Sequence, residues 1–254
     1  MFIDTHTHLY AAEFDADRSV MIQRALNEGV HQFVLPAIDS ETTAAMHALK
    51  KQYPNEINLM MGLHPTHVGA NVEEELAHVW AQLNAHDFVA VGEIGMDLYW
   101  DKTYQKQQQQ AFAKQIDWAL AFDLPIVIHC RDAFDEIFEV LEGVKDARLR
   151  GIFHCFTGDV AQAHRAIELQ MLLGIGGVVT FKNSGLAQTL TQIPLAHLVL
   201  ETDAPYLAPM PYRGKRNESS YLPIIAAKLA ESHGIPVSEI KKITTENAKK
   251  LFRI

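Results

Sequence analysis

Cysteine is scarce: Cys130 and Cys155 are the two in 254 residues. Two thiols build no disulfide framework. Each directly follows a histidine at a strand end and is expected to face away from the side that histidine faces. They read as reduced strand-end packing residues of a cytoplasmic protein. No run of ~18 apolar residues occurs, which excludes a helical membrane span. The opening stretch, Phe2 to His6, lacks a basic segment followed by an apolar one, so no secretory leader is expected. Positive charge is also short. Lys and Arg total 22 against 31 Asp and Glu, a net charge of −9. That balance argues against broad, non-specific binding of nucleic acid. It does not exclude a phosphate-bearing substrate, because divalent ions reverse the sign locally. A Gly-rich phosphate turn is missing too, which disfavours an open, doubly wound nucleotide fold.

What the chain does have is alternation. Short apolar runs (FID, HQFVLPAI, INLMMGL, VAVGEIG, PIVIH, GIFH, LLGIGG and LVLET) alternate with segments of helical spacing. ADRSVMIQRALNEG, ETTAAMHALKKQYP, EEELAHVWAQLN, AFDEIFEVLEG and VAQAHRAIELQ are the clearest helices. The glutamine-rich TYQKQQQQAFAKQIDWALAF looks low in complexity. Phe112, Ile116 and Leu120 nevertheless keep helical spacing. YLPIIAAKLAESHG and SEIKKITTENAKKLF add two C-terminal helices. No linker interrupts the pattern, so residues 1–254 read as one domain. Strand–helix alternation predicts a parallel sheet covered by helices.

Chemistry-bearing residues recur at the ends of the apolar runs. They are His6 and His8, then Glu93, His129, His154 and Asp203. A barrel unit of one strand and one helix takes about 30 residues at this chain length. The 85 positions from His8 to Glu93 span nearly three units. Those from Glu93 to His129 (36) and from His129 to His154 (25) span one each, and the 49 to Asp203 skip a strand. The six residues thus fall on strands one, four, five, six and eight. Strands so far apart meet at one point only if the sheet closes. An α/β fold of the (β/α)8 TIM-barrel type, with extra C-terminal helices, is therefore expected, with the six residues at its C-terminal mouth.

Taken singly, each of these is equally well a buried, hydrogen-bonded strand-end group. Together, four imidazoles and two carboxylates exceed the needs of one tetrahedral zinc and suit two divalent ions. A carboxylate can bridge two ions and an imidazole cannot, so Glu93 is the expected bridge. His6, His8, Glu93 and Asp203 are assigned to one ion, and Glu93, His129 and His154 to the other. Two ions ~3.5–4 Å apart stabilise both oxygens of an in-line displacement. Asp203 is the expected general base.

The stretches DTHTHL, GEIGMD, HCRDA, HCFTG, ETDAPYL and RGKRNE, with TTENAKKLF at the end, resemble the TatD family of metal-dependent deoxyribonucleases, within the amidohydrolase-like barrels. The resemblance spans essentially the whole chain. It implies a TIM-type barrel, a two-metal centre on the six residues above, and hydrolysis of phosphodiester bonds in DNA. Magnesium or manganese is the implied ion, though the ligand set also accepts zinc, nickel or iron. Cleavage in the family is often exonucleolytic, from the 3′ end of single-stranded or damaged DNA. Two positions depart from the family pattern: Thr66 in His64-Pro65-Thr66-His67, where a second histidine is usual, and Ser219, where a proline often follows RNE. Both bear on substrate preference rather than on the metal site.

Further substrate contacts are expected from His64, Arg131, Lys182, Tyr206, Arg216 and Asn217, the last two through the RNE motif. Arg131 is equally well a salt-bridge partner of Asp132 or Asp135. The loop PYRGKRNE combines cations with nearby aromatics, a mix that suits a single strand or a solvated surface turn. DNA or another phosphodiester is the expected transient partner, with no membrane and no obligate protein partner, the chain acting as a monomer. The competing reading is amidohydrolase-type hydrolysis of a small C–N, lactone or phosphate-ester substrate. A third is a metal-bearing barrel kept for binding alone.

Overall fold

A computed structural model describes residues 1–254. Eight strands pair in parallel in sequence order: β1 (Phe2–Asp4), β2 (Val30–Leu35), β3 (Ile57–Met61), β4 (Ala90–Asp97), β5 (Ile126–Arg131), β6 (Gly151–Phe153), β7 (Met171–Ile175) and β8 (Leu198–Leu200). Backbone bonds just past the two outer strands bring the ends of the sheet together. Thr5 N–H donates to Leu200 O at 3.0 Å, Asp203 N–H to His6 O at 2.9 Å, and His8 N–H to Ala204 O at 2.7 Å. The sheet is a barrel, and its last closures lie at the mouth where the polar residues gather.

The helices between strands are α1 (Arg18–Asn27), α2 (Thr43–Gln52), α3 (Val72–Ala85), α4 (Gln105–Ala121), α5 (Phe134–Gly143), α6 (Val160–Glu168) and α7 (Leu186–Leu190). Two more, α8 (Leu222–His233) and α9 (Val237–Phe252), close the chain. The sequence pattern gives all of these except α7, whose five residues are too few for a helical period to emerge. Local signals set the ends. Asp159 and Gln162 form a reciprocal capping box at the start of α6. Gly234, at φ +65°, stops α8 in the left-handed conformation that glycine adopts at no steric cost.

Strand side chains alternate between two cores. A small inner cluster fills the barrel, with Ile3, Val34, Met60, Val127, Ile152 and Val199 stacked across it. Ala248, Leu251 and Phe252 of α9 close it from below. The larger cluster lies between strands and helices and holds Phe33, Leu59, Ile128, Phe153 and Leu173. The glutamine-rich α4 belongs to this layer. Gln108 and Gln115 lie on its buried face with Ala111, Phe112, Ile116 and Ala119. Each pairs its amide with one backbone unit at a strand end. Gln108 Oε1 accepts Asp97 N–H (2.9 Å) while its Nε2 donates to Asp97 O. Gln115 does the same for Leu63. Buried polar groups survive when so paired, and here they anchor the ends of β3 and β4 that lead into the site.

Candidate metal centre at the barrel mouth

His6 and His8 lie two and four residues past β1, both aimed inward. Glu93 lies within β4 at a bulge, where the pairing with β5 slips between Val91 and Ile94. Bulges re-aim side chains next to sites, and this one delivers the Glu93 carboxylate to the centre. His129 is in β5, His154 follows β6, and Asp203 follows β8. Asp203 adopts φ +57°, which aspartate tolerates better than most residues. The turn is held from both sides: Asn217 Nδ2 donates to Thr202 O (2.7 Å) and to Tyr206 O (2.6 Å).

The two oxygens of Glu93 face different partners. Oε2 lies 3.1 Å from His6 Nε2 and 4.0 Å from His8 Nε2. Asp203 Oδ1 joins that side, 3.3 Å from His8 Nε2 and 3.8 Å from His6 Nε2. Oε1 lies 2.8 Å from His129 Nδ1, 3.0 Å from His154 Nε2 and 3.2 Å from His64 Nε2. Three overlapping groups have the compactness an ion requires: His6–His8–Asp203, His6–Glu93–His154 and His64–Glu93–His129. His64, expected as a substrate contact, therefore stands among the groups that could hold an ion.

The outer nitrogens are fixed by partners that the sequence did not flag. His129 Nε2 meets Asp97 Oδ2 at 2.9 Å, and His154 Nδ1 meets Glu201 Oε1 at 3.3 Å. His8 Nδ1 lies 3.0 Å from the Tyr10 hydroxyl. That hydroxyl gives its one proton to Pro36 O, so it accepts from His8 and leaves Nε2 bare. In the neutral ring of each, the inward nitrogen is the one that keeps its lone pair, as a metal-ligating histidine requires. His6 is fully buried, yet neither ring nitrogen has a hydrogen-bond partner. A bare imidazole nitrogen so placed is costly, and a divalent ion held by His6 and Glu93 would satisfy it. The residues fit a metal.

The electrostatics agree. Burial pushes His6 down and His64 down to about 4, so both are neutral. Burial also lowers His129 and His154, but Asp97 and Glu93 outweigh it for the first and Glu93 with Glu201 for the second, and both end raised. Burial raises the Glu93 carboxyl, yet the facing imidazoles hold it well below the usual carboxylate range. The carboxylates thus attract positive charge into the centre, which protons or metal ions can supply.

Above the centre opens a cavity of about 1000 Å³. Arg131 and Tyr206 lie on its wall with the metal-capable residues. Three expected contacts do not. Lys182 is exposed beyond β7, outside the wall. Arg216 is committed to Asp17, at 2.7 and 2.8 Å, and to Glu13 O. Asn217 is wholly buried, its amide spent on the Asp203 turn. For these two the RNE motif marks a brace rather than a substrate contact. Cys130 and Cys155, expected to face away, do line the cavity. β5 runs past its last pairing with β6 at Ile128, so Cys130 reaches the cavity while still packing against the outer core, and Cys155 has left strand geometry at φ +45°. Burial pushes the Cys130 thiol up to about 12 and Cys155 higher, so both are neutral thiols.

Barrel, mouth and clustered histidines and carboxylates are those of a metal-dependent hydrolase. A family profile described as "TatD related DNase" matches residues 3–253, and the chain belongs to that family. It is 40% identical, over the full length of both proteins, to the "Uncharacterized metal-dependent hydrolase YabD" of Bacillus subtilis. It is 30% identical, over 99% of both, to the "3'-5' ssDNA/RNA exonuclease TatD" of Pectobacterium parmentieri. The crystal structure of YjjV, a TatD homologue from Escherichia coli, superposes with a TM-score of 0.94 at 32% identity, covering 100% of this chain and 98% of that one. No helix is long and apolar enough to cross a membrane.

Proposed function

We propose that the chain is a two-metal phosphodiesterase that removes nucleotides from the 3′ end of single-stranded DNA. The carrying observation is the division of Glu93. One oxygen faces His6, His8 and Asp203, and the other faces His64, His129 and His154. That division supports one ion on each side with Glu93 between them. Two bound ions, magnesium or manganese, would polarise the phosphate and stabilise the entering and leaving oxygens.

The protein's own part is positional and protolytic. Burial raises the Asp203 carboxyl, but His8, His154 and His6 outweigh it and keep it below the usual range, so it is ionised at neutral pH. At the cavity wall it is placed to take the proton of the attacking water. Arg131 is the cation on the wall available to a phosphate: Asp135, one candidate partner, lies beside Arg165 instead. The exonuclease name of the Pectobacterium relative supports a nucleic-acid substrate and the 3′ polarity.

The test is nucleotide release from DNA with a single-stranded 3′ overhang, with magnesium or manganese, by wild type, Glu93→Ala and Asp203→Ala. Metal-dependent release abolished by both substitutions is expected. Intact DNA under every metal, with turnover of a small lactone, amide or phosphate ester, would overturn the reading in favour of amidohydrolase-type chemistry.

A further inference from the structure

The rim of the cavity carries an exposed aromatic step that metal chemistry does not need. Trp100 is 69% exposed and Tyr99 53%, large apolar surfaces left in water immediately after β4. Their rings meet edge to face at 4.8 Å and 87°. Arg131, from the end of β5, fills the corner between them, its guanidinium carbon 3.8 Å from the Tyr99 centroid and 5.0 Å from that of Trp100. Trp100 and Arg131 line the same cavity as Glu93 and Asp203.

The step is built into the metal centre. Asp97 Oδ1 accepts the backbone N–H groups of Tyr99 (3.0 Å) and Trp100 (3.3 Å), while its Oδ2 meets His129 Nε2. Leu98 N–H donates to Arg131 O at 2.9 Å, tying the two halves together. The backbone that carries the two rings is therefore tied to His129 through Asp97 before any ligand arrives.

We propose that Trp100, backed by Tyr99 and Arg131, is a stacking platform for a nucleobase next to the scissile phosphate. This rests on the nuclease reading and deepens it. A flat π-surface with an adjacent, stacked guanidinium is the combination that holds single-stranded bases without reading their identity. Arg131 keeps its donors free for the phosphate that joins the stacked nucleotide to the next. In a chain of net charge −9, stacking supplies the grip that phosphate contacts alone do not. The platform accepts any base and favours unpaired ends, because a paired base already has its faces covered.

Binding and cleavage are measured separately. The binding probe is a short, fluorescein-labelled single strand with phosphorothioate linkages, its last two 3′ residues either ordinary or abasic. Anisotropy is read on the metal-loaded protein. Wild type is expected to prefer the base-bearing end by about 5- to 150-fold, the range of one stacked base. That preference should vanish in Trp100→Ala and return in Trp100→Phe, which restores a π-face. A preference that survives Trp100→Ala, or no preference in wild type, overturns the platform. So does an equal loss of affinity for both probes, which marks Trp100 as structural or as a protein-docking residue. Cleavage of an unmodified strand is scored independently. Base preference without cleavage under any metal strikes the nuclease reading and leaves the platform standing. Cleavage without base preference does the reverse.

Discussion

Asp97→Asn changes one atom and isolates the role of the second carboxylate behind the metal centre. Asp97 Oδ2 meets His129 Nε2 at 2.9 Å, so it takes the proton on that nitrogen and leaves Nδ1, 2.8 Å from Glu93 Oε1, free to ligate. In the variant, Oδ1 still accepts the Tyr99 and Trp100 amides, and the new NH2 faces His129. Two donors cannot share that contact. The favourable answer is the other tautomer, with Nε2 accepting and Nδ1–H aimed into the site, where it cannot bind a metal. Loss of such a partner typically costs 10- to 100-fold in metal affinity, or about 1.4–2.7 kcal/mol. At a metal concentration ~1,000 times the wild-type dissociation constant, binding stabilises the fold by about 4.1 kcal/mol. The variant should retain about 1.4–2.7 kcal/mol of that. At ~2–4 °C per kcal/mol for a chain of this size, its metal-induced rise in Tm should fall short of wild type by about 3–11 °C. The assay is thermal unfolding of each protein in excess chelator and in excess manganese, so each supplies its own zero. Equal increments would refute the tautomer argument. Asp97→Glu does not answer the question, because the longer side chain moves the loop as well.

Two further outcomes follow from particular contacts. Gly174 in β7 has no room for a methyl group: a Cβ there would stand 2.2 Å from Glu201 Oε2 and 3.2 Å from His154 Cα. Gly174→Ala should therefore destabilise by about 1–3 kcal/mol through overpacking and displace Glu201 from His154; an unchanged Tm in denaturation scans would contradict this. Asp17 accepts from Arg216 and Arg24, and these bonds, that of Arg216 foremost, lower its carboxyl from 3.8 to about 2. A depressed carboxyl adds stability above its unfolded value and loses it as pH falls toward the folded one. Wild type and Asp17→Asn should thus differ most in Tm above pH 3.8 and converge toward about 2; a difference that grows on acidification would refute the pairing.

The sequence revealed the ring of strands because the chemistry-bearing residues are spaced in whole barrel units, and each apolar run is long enough to show a strand. The six inward groups were legible for the same reason: they end those runs. What was not legible are contacts made by shape rather than by spacing. Asp97 sits four residues past Glu93 and Glu201 two before Asp203, and in the sequence they are further acids in acidic stretches. Only the fold shows that each stands behind a different histidine. His64 was visible, but its distance from Glu93 depends on how the loop after β3 turns inward, which no period encodes. Gln108 and Gln115 were hidden by their own abundance, since nothing in a glutamine run says which of them face the core.

The brace at Arg216 and Asn217 makes the general point sharpest. A motif signals that residue types are needed together, and the natural inference places such polar residues on the substrate. Here the need arises one step earlier. Asp203 must hold its carboxylate inward from a left-handed turn that most residues avoid. Its flanking carbonyls, those of Thr202 and Tyr206, are buried or half-covered and require donors. One asparagine amide supplies both. Its neighbour Arg216 fastens the loop to Asp17 just ahead of α1, and Glu218 does the same to Arg24 within α1. RNE is thus a clamp with three separate grips, each explained by a bond in the fold. It holds the Asp203 carboxylate still at the mouth, as the proposed role of that group in taking a proton from water requires.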